Sequence, residues 1–372
     1  MIHSPSLLLT LVAFVLVLGP LVLVHELGHY LVGRLFGVKA DAFSVGFGKE
    51  IAGWTDRRGT RWKLSALPLG GYVQFAGDMN AVSMPDASAA DGLGAAERAQ
   101  LFQSKALWQR ALIVAAGPVT NLVFAVAIFA AFNLAYGKVV APPEIAQFSA
   151  VSPAKAAGFL IGDRIVAIDG NPIDSFVQIP EFVVPYPGKT VTIAVQRGAR
   201  RIELPVRIRE EVERDKFGNV ARIGRIGIAG GQGQLVPVGP DEAVTLAVDQ
   251  TADIIRMTVT GIGQIFAGER SVRELGGPIK IAKYSGEAMS LGWQQFVSFA
   301  ALISINLAFI NLLPIPALDG GHLAFYAAEA VRRKPLGLRS QEWAFRTGLA
   351  LVLALMLFVT INDLAGLPFF GG

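Results

Sequence analysis

Residues 5–36 form an almost unbroken apolar run, and its second half carries His25, Glu26 and His29. A helix needs roughly 20 apolar residues to cross the hydrocarbon of a bilayer, so this run is long enough to span one. A charged side chain at the bilayer centre costs about 2.5–3.5 kcal/mol even on the gentlest insertion scale. Three ionisable groups placed there need partners, and that need restricts the fold more than any other feature. A secretory signal is the plain alternative, but the run is too long for one and lacks a basic leader and a small-residue cleavage site.

Three further apolar segments follow, at about 106–136, 296–318 and 343–361. Of the 372 residues 52% are hydrophobic and 17% charged, against about 25% charged in soluble domains. The expected class is an α-helical integral membrane protein with four transmembrane helices. Lys39, Lys49, Arg57, Arg58, Arg61, Lys63, Arg98 and Lys105 lie between the first two spans, and Arg332, Arg333, Lys334 and Arg339 between the last two. Short basic loops stay cytoplasmic, which puts both termini and the long segment between spans two and three outside. The net charge of +4 is spread rather than clustered, so no nucleic acid is expected as a partner. The chain has no cysteine, so a metal would have to sit on His, Asp or Glu.

Between the spans, residues 37–75 hold two strand-like runs joined at DRRG, read as a small sheet that dips into the bilayer. Residues 78–100 read as a flexible cytoplasmic loop. In 142–232, SPAKAAGFLIGDRIVAIDGNP gives a short helix from Pro153, a glycine turn, a strand at 164–168 and a further turn. The strands TVTIAVQR and RIELPVRI follow, joined at Gly198. This order resembles a PDZ domain of the bacterial, circularly permuted kind, with ARIGRIGIAG as the strand and glycine loop that would take up an extended peptide or peptide C-terminus by strand addition. In 243–270, Ile254, Ile255, Thr258, Ile262, Ile265 and Phe266 recur at helical spacing, which predicts an amphipathic helix against the membrane surface or the other spans. The expected order is therefore 1–36 as span one, 37–105 as sheet and loop, 106–136 as span two, and 137–234 as one inserted extracytoplasmic α+β domain. A helical connector at 235–292, span three at 293–322, and a loop with span four at 323–372 complete it.

His25 and His29 are four residues apart and share one helix face, a spacing at which two imidazoles can hold one zinc ion. Glu26, beside the first histidine, is placed to act as general base toward an attacking water. Catalytic zinc takes three protein ligands, and His3, His322 and Asp319 are the candidates for the third. Asp319, in NLLPIPALDGGH, comes at the cytoplasmic end of a span running in the same direction as the first, so it reaches the same depth as HELGH. Pro314 and Pro316 break the helix just before it. The competing role for Asp319 is a cap on the helix that follows.

HELGH in a first span, GPVTN in the second, the PDZ-like insert, GGPIKIAK and NLLPIPALDGGH together resemble the site-2 protease family, in the branch of the bacterial regulators of sigma-E proteases. The resemblance covers nearly the whole chain. It implies a zinc intramembrane metalloprotease of the bacterial inner membrane, with one zinc ion per chain held by His25, His29 and Asp319 and with Glu26 as catalytic base. It implies that Asn311 holds substrate backbone or the oxyanion, with Pro314 beside it. It also implies that Gly70, Gly71 and Tyr72 belong to a membrane-entering hairpin that clamps the substrate strand. The implied substrates are single-span membrane proteins, such as anti-sigma factors already cut outside, or remnant signal peptides. One PDZ-like unit stands where enterobacterial members have two in tandem, so a size filter built on the pair is not carried over. A metal or ion transporter would also bury His and Asp, but it needs no peptide-binding domain. An inactive PDZ-bearing membrane scaffold needs no Glu26.

Overall fold

The computed structural model describes residues 5–77, 93–214, 220–334 and 336–365. Most of the expected loop at 78–100 lies outside the described residues, as does His3. The contacts divide the chain into two compact units, one of residues 5–128 and 271–372, the other of 129–270.

In the first unit, α1 (Leu7–Leu35) starts at Ser6, whose hydroxyl accepts the Leu9 N–H at 3.2 Å. At about 1.5 Å per residue it is long enough to cross a bilayer. A hairpin of β1 (Ala40–Thr55) and β2 (Arg61–Phe75) follows directly. Asp56 builds its turn by accepting the N–H groups of Arg58 and Thr60 at 2.8 and 3.0 Å. The hairpin folds back on itself. Ala42 to Val45 pair on one side with Gln74 to Gly71 and on the other with Arg61 to Leu64, while 50–55 pair with the far side of 61–65. Gly46 and Gly48, at φ +92° and +88°, allow the bend. A Cβ on Gly46 would stand 2.8 Å from the Leu67 carbonyl oxygen. The result is a ribbon of four side-by-side stretches in which 71–75 forms one edge.

A single turn, α2 (Ala95–Arg98), leads to α3 (Leu107–Tyr136), which holds Pro118. Tyr30, Phe43, Val73, Phe75, Phe102 and Ile113 pack α1, the hairpin and α3 into one core.

The second unit begins within α3. Its small strands are β3 (Lys138–Val140) and β4 (Gln147–Phe148), followed by α4 (Pro153–Ala156), β5 (Arg164–Ile168), β6 (Asn171–Pro172) and α5 (Ile179–Val183). Then come β7 (Thr190–Arg197), β8 (Arg200–Arg207), β9 (Arg209–Arg214), β10 (Val220–Arg225), β11 (Ile228–Ala229) and β12 (Gln234–Val236). The main sheet runs β6-β5-β7-β8, with β11 paired to β4 and β12 to β3. Ile145, Phe159, Ile165, Ile193, Val195 and Ile208 form its core.

Asp163 staples this module. Its carboxylate is 1% exposed and accepts Arg197 Nε and Nη2 at 2.7 Å each, with the Leu160 N–H at 2.9 Å. Burial works to raise the Asp163 pKa, but the Arg197 hydrogen bonds and the Leu160 N–H outweigh it and hold the group below the usual carboxylate range. A carboxyl whose folded pKa is depressed stabilises above its unfolded value and loses that contribution as pH falls through the folded one. Amide exchange in β5 and β7 of the full chain should therefore show protection that holds from neutrality to about pH 5 and declines below about pH 4. Asp163→Ala should lower that protection by about 2–3 kcal/mol at neutral pH, the scale of hydrogen bonds to a charged group. Unchanged protection in the variant would count against the staple.

The connector contains two helices rather than one. The first, α6 (Pro240–Phe266), belongs to the second unit, where Gln264 Nε2 donates to the Pro185 carbonyl at 2.8 Å and Lys138 pairs with Glu242. Its buried residues are Ala243, Ala247, Thr251 and Gln264. The expected apolar stripe is half-buried at Ile254, Ile255, Thr258, Ile262 and Ile265 and continues the face of Ala243, Ala247 and Thr251, while Phe266 at its end is 89% exposed. Ahead of the stripe, the small side chains of Ala243 and Ala247 let the helix lie close to its neighbours, a feature that apolar periodicity does not register.

The other connector helix, α7 (Pro278–Ser290), packs on α1 in the first unit, with Gly286 set against Thr10. Then come α8 (Trp293–Leu312), α9 (Asp319–Arg332) and α10 (Leu338–Ala365). The third span ends at Leu312 because Pro314 forces Leu313 out of the helical region, to ψ 141°. The last span runs past its expected end. Asp363, 3% exposed, accepts the N–H groups of Gly277 and Lys280 and so caps α7 from another helix. Among the described residues, α1, α3, α8 and α10 are long and apolar enough to cross a membrane.

Candidate metal centre

Helical spacing brings His25 and His29 to one face of α1, with Nε2 atoms 3.2 Å apart. Asp319 comes to the same point from the start of α9. Its Oδ2 lies 3.2 Å from His25 Nε2 and 3.6 Å from His29 Nε2. One donor atom from each of these three residues lies within 4.8 Å of the others. His322 is not in that group. Asp319 is the first residue of α9 and not its cap, which is Leu318, and its carboxylate meets His25 and His29. It is thus turned to the histidines, not to its own helix end.

The corner that delivers Asp319 depends on the glycines after it. A Cβ on Gly320 would meet the Leu313 carbonyl oxygen at 2.2 Å, and one on Gly321 the Ile315 oxygen at 2.4 Å. No side chain fits there, so the 312–318 turn can close tightly over the start of α9.

The imidazoles are held from behind by α3. His29 Nδ1 lies 2.9 Å from the Ile113 carbonyl oxygen, and His25 Nδ1 lies 3.3 Å from the Asn121 side-chain amide. Pro118 has no N–H for the Val114 carbonyl, which loosens the helix ladder one residue from Ile113. Gly117 leaves the rings their room, since a Cβ there would stand 2.2 Å from His29 Nε2 and 2.9 Å from His25 Cε1. Ser304 of α8 donates to the Asn121 carbonyl at 2.8 Å, so three helices meet behind the site.

Glu26 is 9% exposed. Its carboxylate receives the Val73 N–H from the edge stretch of β2. Gly71 adjoins it, and a Cβ at that position would lie 3.0 Å from Glu26 Cγ. Tyr72 stacks on Phe47 with ring centroids 6.0 Å apart, and the ring of Phe47 also closes over Gly70, at φ +121°. Asn311 is half-buried in the last turn of α8, and Pro314 is exposed in the following turn. The structure therefore gathers His25, Glu26, His29, Asp319, Gly71 and Val73 around one point.

Gly117 and Asn121 have no assigned role in the sequence reading, where GPVTN serves only as part of a family likeness. The signal that could have found them is a glycine and an amide four residues apart in an apolar span, because small and polar residues mark the interfaces of membrane helices.

The donor set suits zinc. Two imidazole nitrogens and one carboxylate oxygen match a catalytic three-ligand pattern. The Nδ1 atoms are engaged elsewhere, as ligating histidines require, and the cradle at Gly117 is shaped to the rings.

Residues 13–355 match Peptidase family M50. Over 361 residues the chain is 44% identical to "Putative zinc metalloprotease Atu1380" of Agrobacterium fabrum, with 96% of each chain covered. It is 35% identical over 386 residues to "Metalloprotease MmpA" of Caulobacter vibrioides, again with 96% of each covered. A quarter of the chain is also similar to the crystal structure of the PDZ domain of an SdrC-like protein from Listeria monocytogenes, at 23% identity and a TM-score of 0.20, covering 92% of that chain. With the family matched across nearly its whole length, the chain belongs to peptidase family M50 and is a zinc metalloendopeptidase of the membrane.

Proposed function

We propose that this enzyme hydrolyses a peptide bond inside the transmembrane segment of single-span membrane proteins, at the cytoplasmic side of the bacterial inner membrane. The observation that carries the reading is the convergence of His25, His29 and Asp319 beside Glu26 on helices of membrane length. In this reading His25, His29 and Asp319 hold the zinc ion. Bound there, zinc supplies a Lewis acid for the scissile carbonyl. Glu26 takes the proton of the attacking water and delivers it to the leaving amine. Asn311, at the end of α8, donates a hydrogen bond to the oxygen on which charge develops.

A substrate helix hides its amides and must open before attack. In lipid the opened backbone needs new partners, and the edge formed by Gly71 to Phe75 can supply them by strand addition. Gly70, Gly71, Tyr72 and Pro314 then border the bound strand. Basic loops between spans one and two and between spans three and four support an active site toward the cytoplasm and a 137–234 domain outside. There the domain acts as a PDZ module that binds the C-termini or extended segments of candidate substrates. Anti-sigma factors shortened by a first extracytoplasmic cut, and leftover signal peptides, are substrates of this kind.

The test uses the full chain in detergent with a panel of single-span substrates, each with and without its extracytoplasmic domain. Mass spectrometry of the products should place the cut within the apolar segment, and shortened substrates should be cut faster than intact ones. Cleavage confined to soluble regions would overturn the reading.

A further inference from the structure

The hydrogen bonds behind the two imidazoles are not equivalent. A neutral imidazole carries one N–H and one bare nitrogen, and only the bare nitrogen ligates a metal. Both rings turn Nε2 toward Asp319 and Nδ1 toward α3. For His29 the partner on α3 is the Ile113 carbonyl oxygen at 2.9 Å. A carbonyl can only accept, so the proton sits on Nδ1 and Nε2 is bare. For His25 the partner is the side-chain amide of Asn121, 3.3 Å away on a residue that is 0% exposed. An amide can face the ring in two ways.

With its NH2 toward Nδ1, Asn121 donates. The His25 proton is then forced onto Nε2, the atom that must be free. With its oxygen toward Nδ1, Asn121 accepts, the proton stays on Nδ1, and Nε2 is available. The two orientations differ by a half-turn of the amide and have nearly the same shape. Asn121 Oδ1 is buried without a hydrogen-bond partner when the NH2 faces the ring. The half-turn gives that oxygen the Nδ1–H and sends the NH2 to the place the oxygen left. A tally of unpaired groups therefore does not choose between them, but the need for a bare Nε2 does.

We infer that Asn121 is a positioning residue that accepts the Nδ1–H of His25 through Oδ1 and thereby fixes the tautomer in which Nε2 can bind zinc. This rests on the reading of His25 as a ligand. The amide is held in register because α8 grips its backbone, Ser304 Oγ donating to the Asn121 carbonyl at 2.8 Å. The two ligands on α1 thus receive their tautomers from one neighbouring helix, one from its backbone and one from a side chain.

The test measures zinc affinity by chelator competition on the full-length protein in detergent, for wild type, Asn121→Leu, Asn121→Asp and His25→Ala. Leucine has the same number of side-chain heavy atoms, branched at the same carbon, and no acceptor, and it should weaken zinc binding about 10- to 100-fold, the usual cost of removing such a partner. Aspartate is an acceptor in either orientation and should bind zinc at least as tightly as asparagine. A role in packing alone predicts the opposite order, because leucine suits an apolar helix interface and a carboxylate does not. Wild-type affinity in Asn121→Leu, or Asn121→Asp binding as weakly as Asn121→Leu, would overturn the inference. If Asn121→Asp does not purify as a monodisperse protein, Asn121→Ala takes its place beside Asn121→Leu. Wild-type affinity in either apolar variant then overturns the inference, and a loss in both sustains it. His25→Ala separates the two levels. Unchanged zinc binding there refutes the ligand reading itself, whereas loss in His25→Ala with wild-type binding in Asn121→Leu refutes only the role given to Asn121.

Discussion

Glu26→Gln should leave the zinc content of the purified protein unchanged and slow substrate cleavage by about 100- to 10,000-fold, the range that general acid–base groups contribute. Glutamine keeps the shape of the side chain, and its Oε1 can still accept the Val73 N–H that holds Glu26 against the β2 edge. What it cannot do is take a proton. The carboxylate lies one residue from His25 but is not among the three clustered donors, so its loss removes no metal ligand. Two measurements on the same preparation decide the matter, metal content and the rate on a single-span substrate. A variant that keeps its rate would end the general-base assignment. One that loses both zinc and rate would make Glu26 part of the metal's support. Glu26→Asp should also be slow, since shortening the side chain withdraws the carboxylate from a site where about 1 Å of misplacement can cost 100-fold.

The sequence shows the part of this site that follows from local geometry. Four-residue spacing on a helix puts His25 and His29 on one face whatever surrounds them. Asp319 is legible by a longer route, because the expected topology runs two spans in the same direction and so sets 25–29 and 319 at one depth. The physical signs of its delivery, the prolines and the double glycine, stand in the sequence beside it. Other features depend on contacts between distant segments. The fold-back of the β1–β2 hairpin at Gly46 and Gly48 makes 71–75 an edge next to Glu26, whereas alternation along each strand predicts only a plain hairpin. Asp363 lies beyond the expected end of span four and gains a role only where the N-terminus of α7 meets it. The packed face of α6 begins at Ala243 and Ala247, small residues ahead of the apolar stripe that hydrophobic periodicity does not pick out.

Gly117→Ala should cost the enzyme its zinc. A methyl group at that position would stand 2.2 Å from His29 Nε2, 2.5 Å from His29 Cε1 and 2.9 Å from His25 Cε1, closer than carbon atoms approach without displacement. The rings cannot retreat freely, because each is tied through Nδ1 to α3, the helix that carries the new methyl. Either the imidazoles rotate and lose those hydrogen bonds, or α1 and α3 move apart and the histidines leave Asp319. In both cases zinc affinity should fall by at least about 100-fold, the upper end for losing such support, and cleavage should fall with it. Gly33→Ala provides the comparison. It lies on α1 one turn beyond His29, and its added Cβ would strike the Phe75 ring at 2.5 Å, in the core and not the imidazole rings. That clash should destabilise the protein by about 1–3 kcal/mol, as overpacking does, while zinc affinity stays at the wild-type level. If both variants fold and bind zinc alike, crowding at the rings is not what Gly117 prevents. If only Gly117→Ala loses the metal, the glycine is required because the imidazoles occupy the volume its side chain would fill.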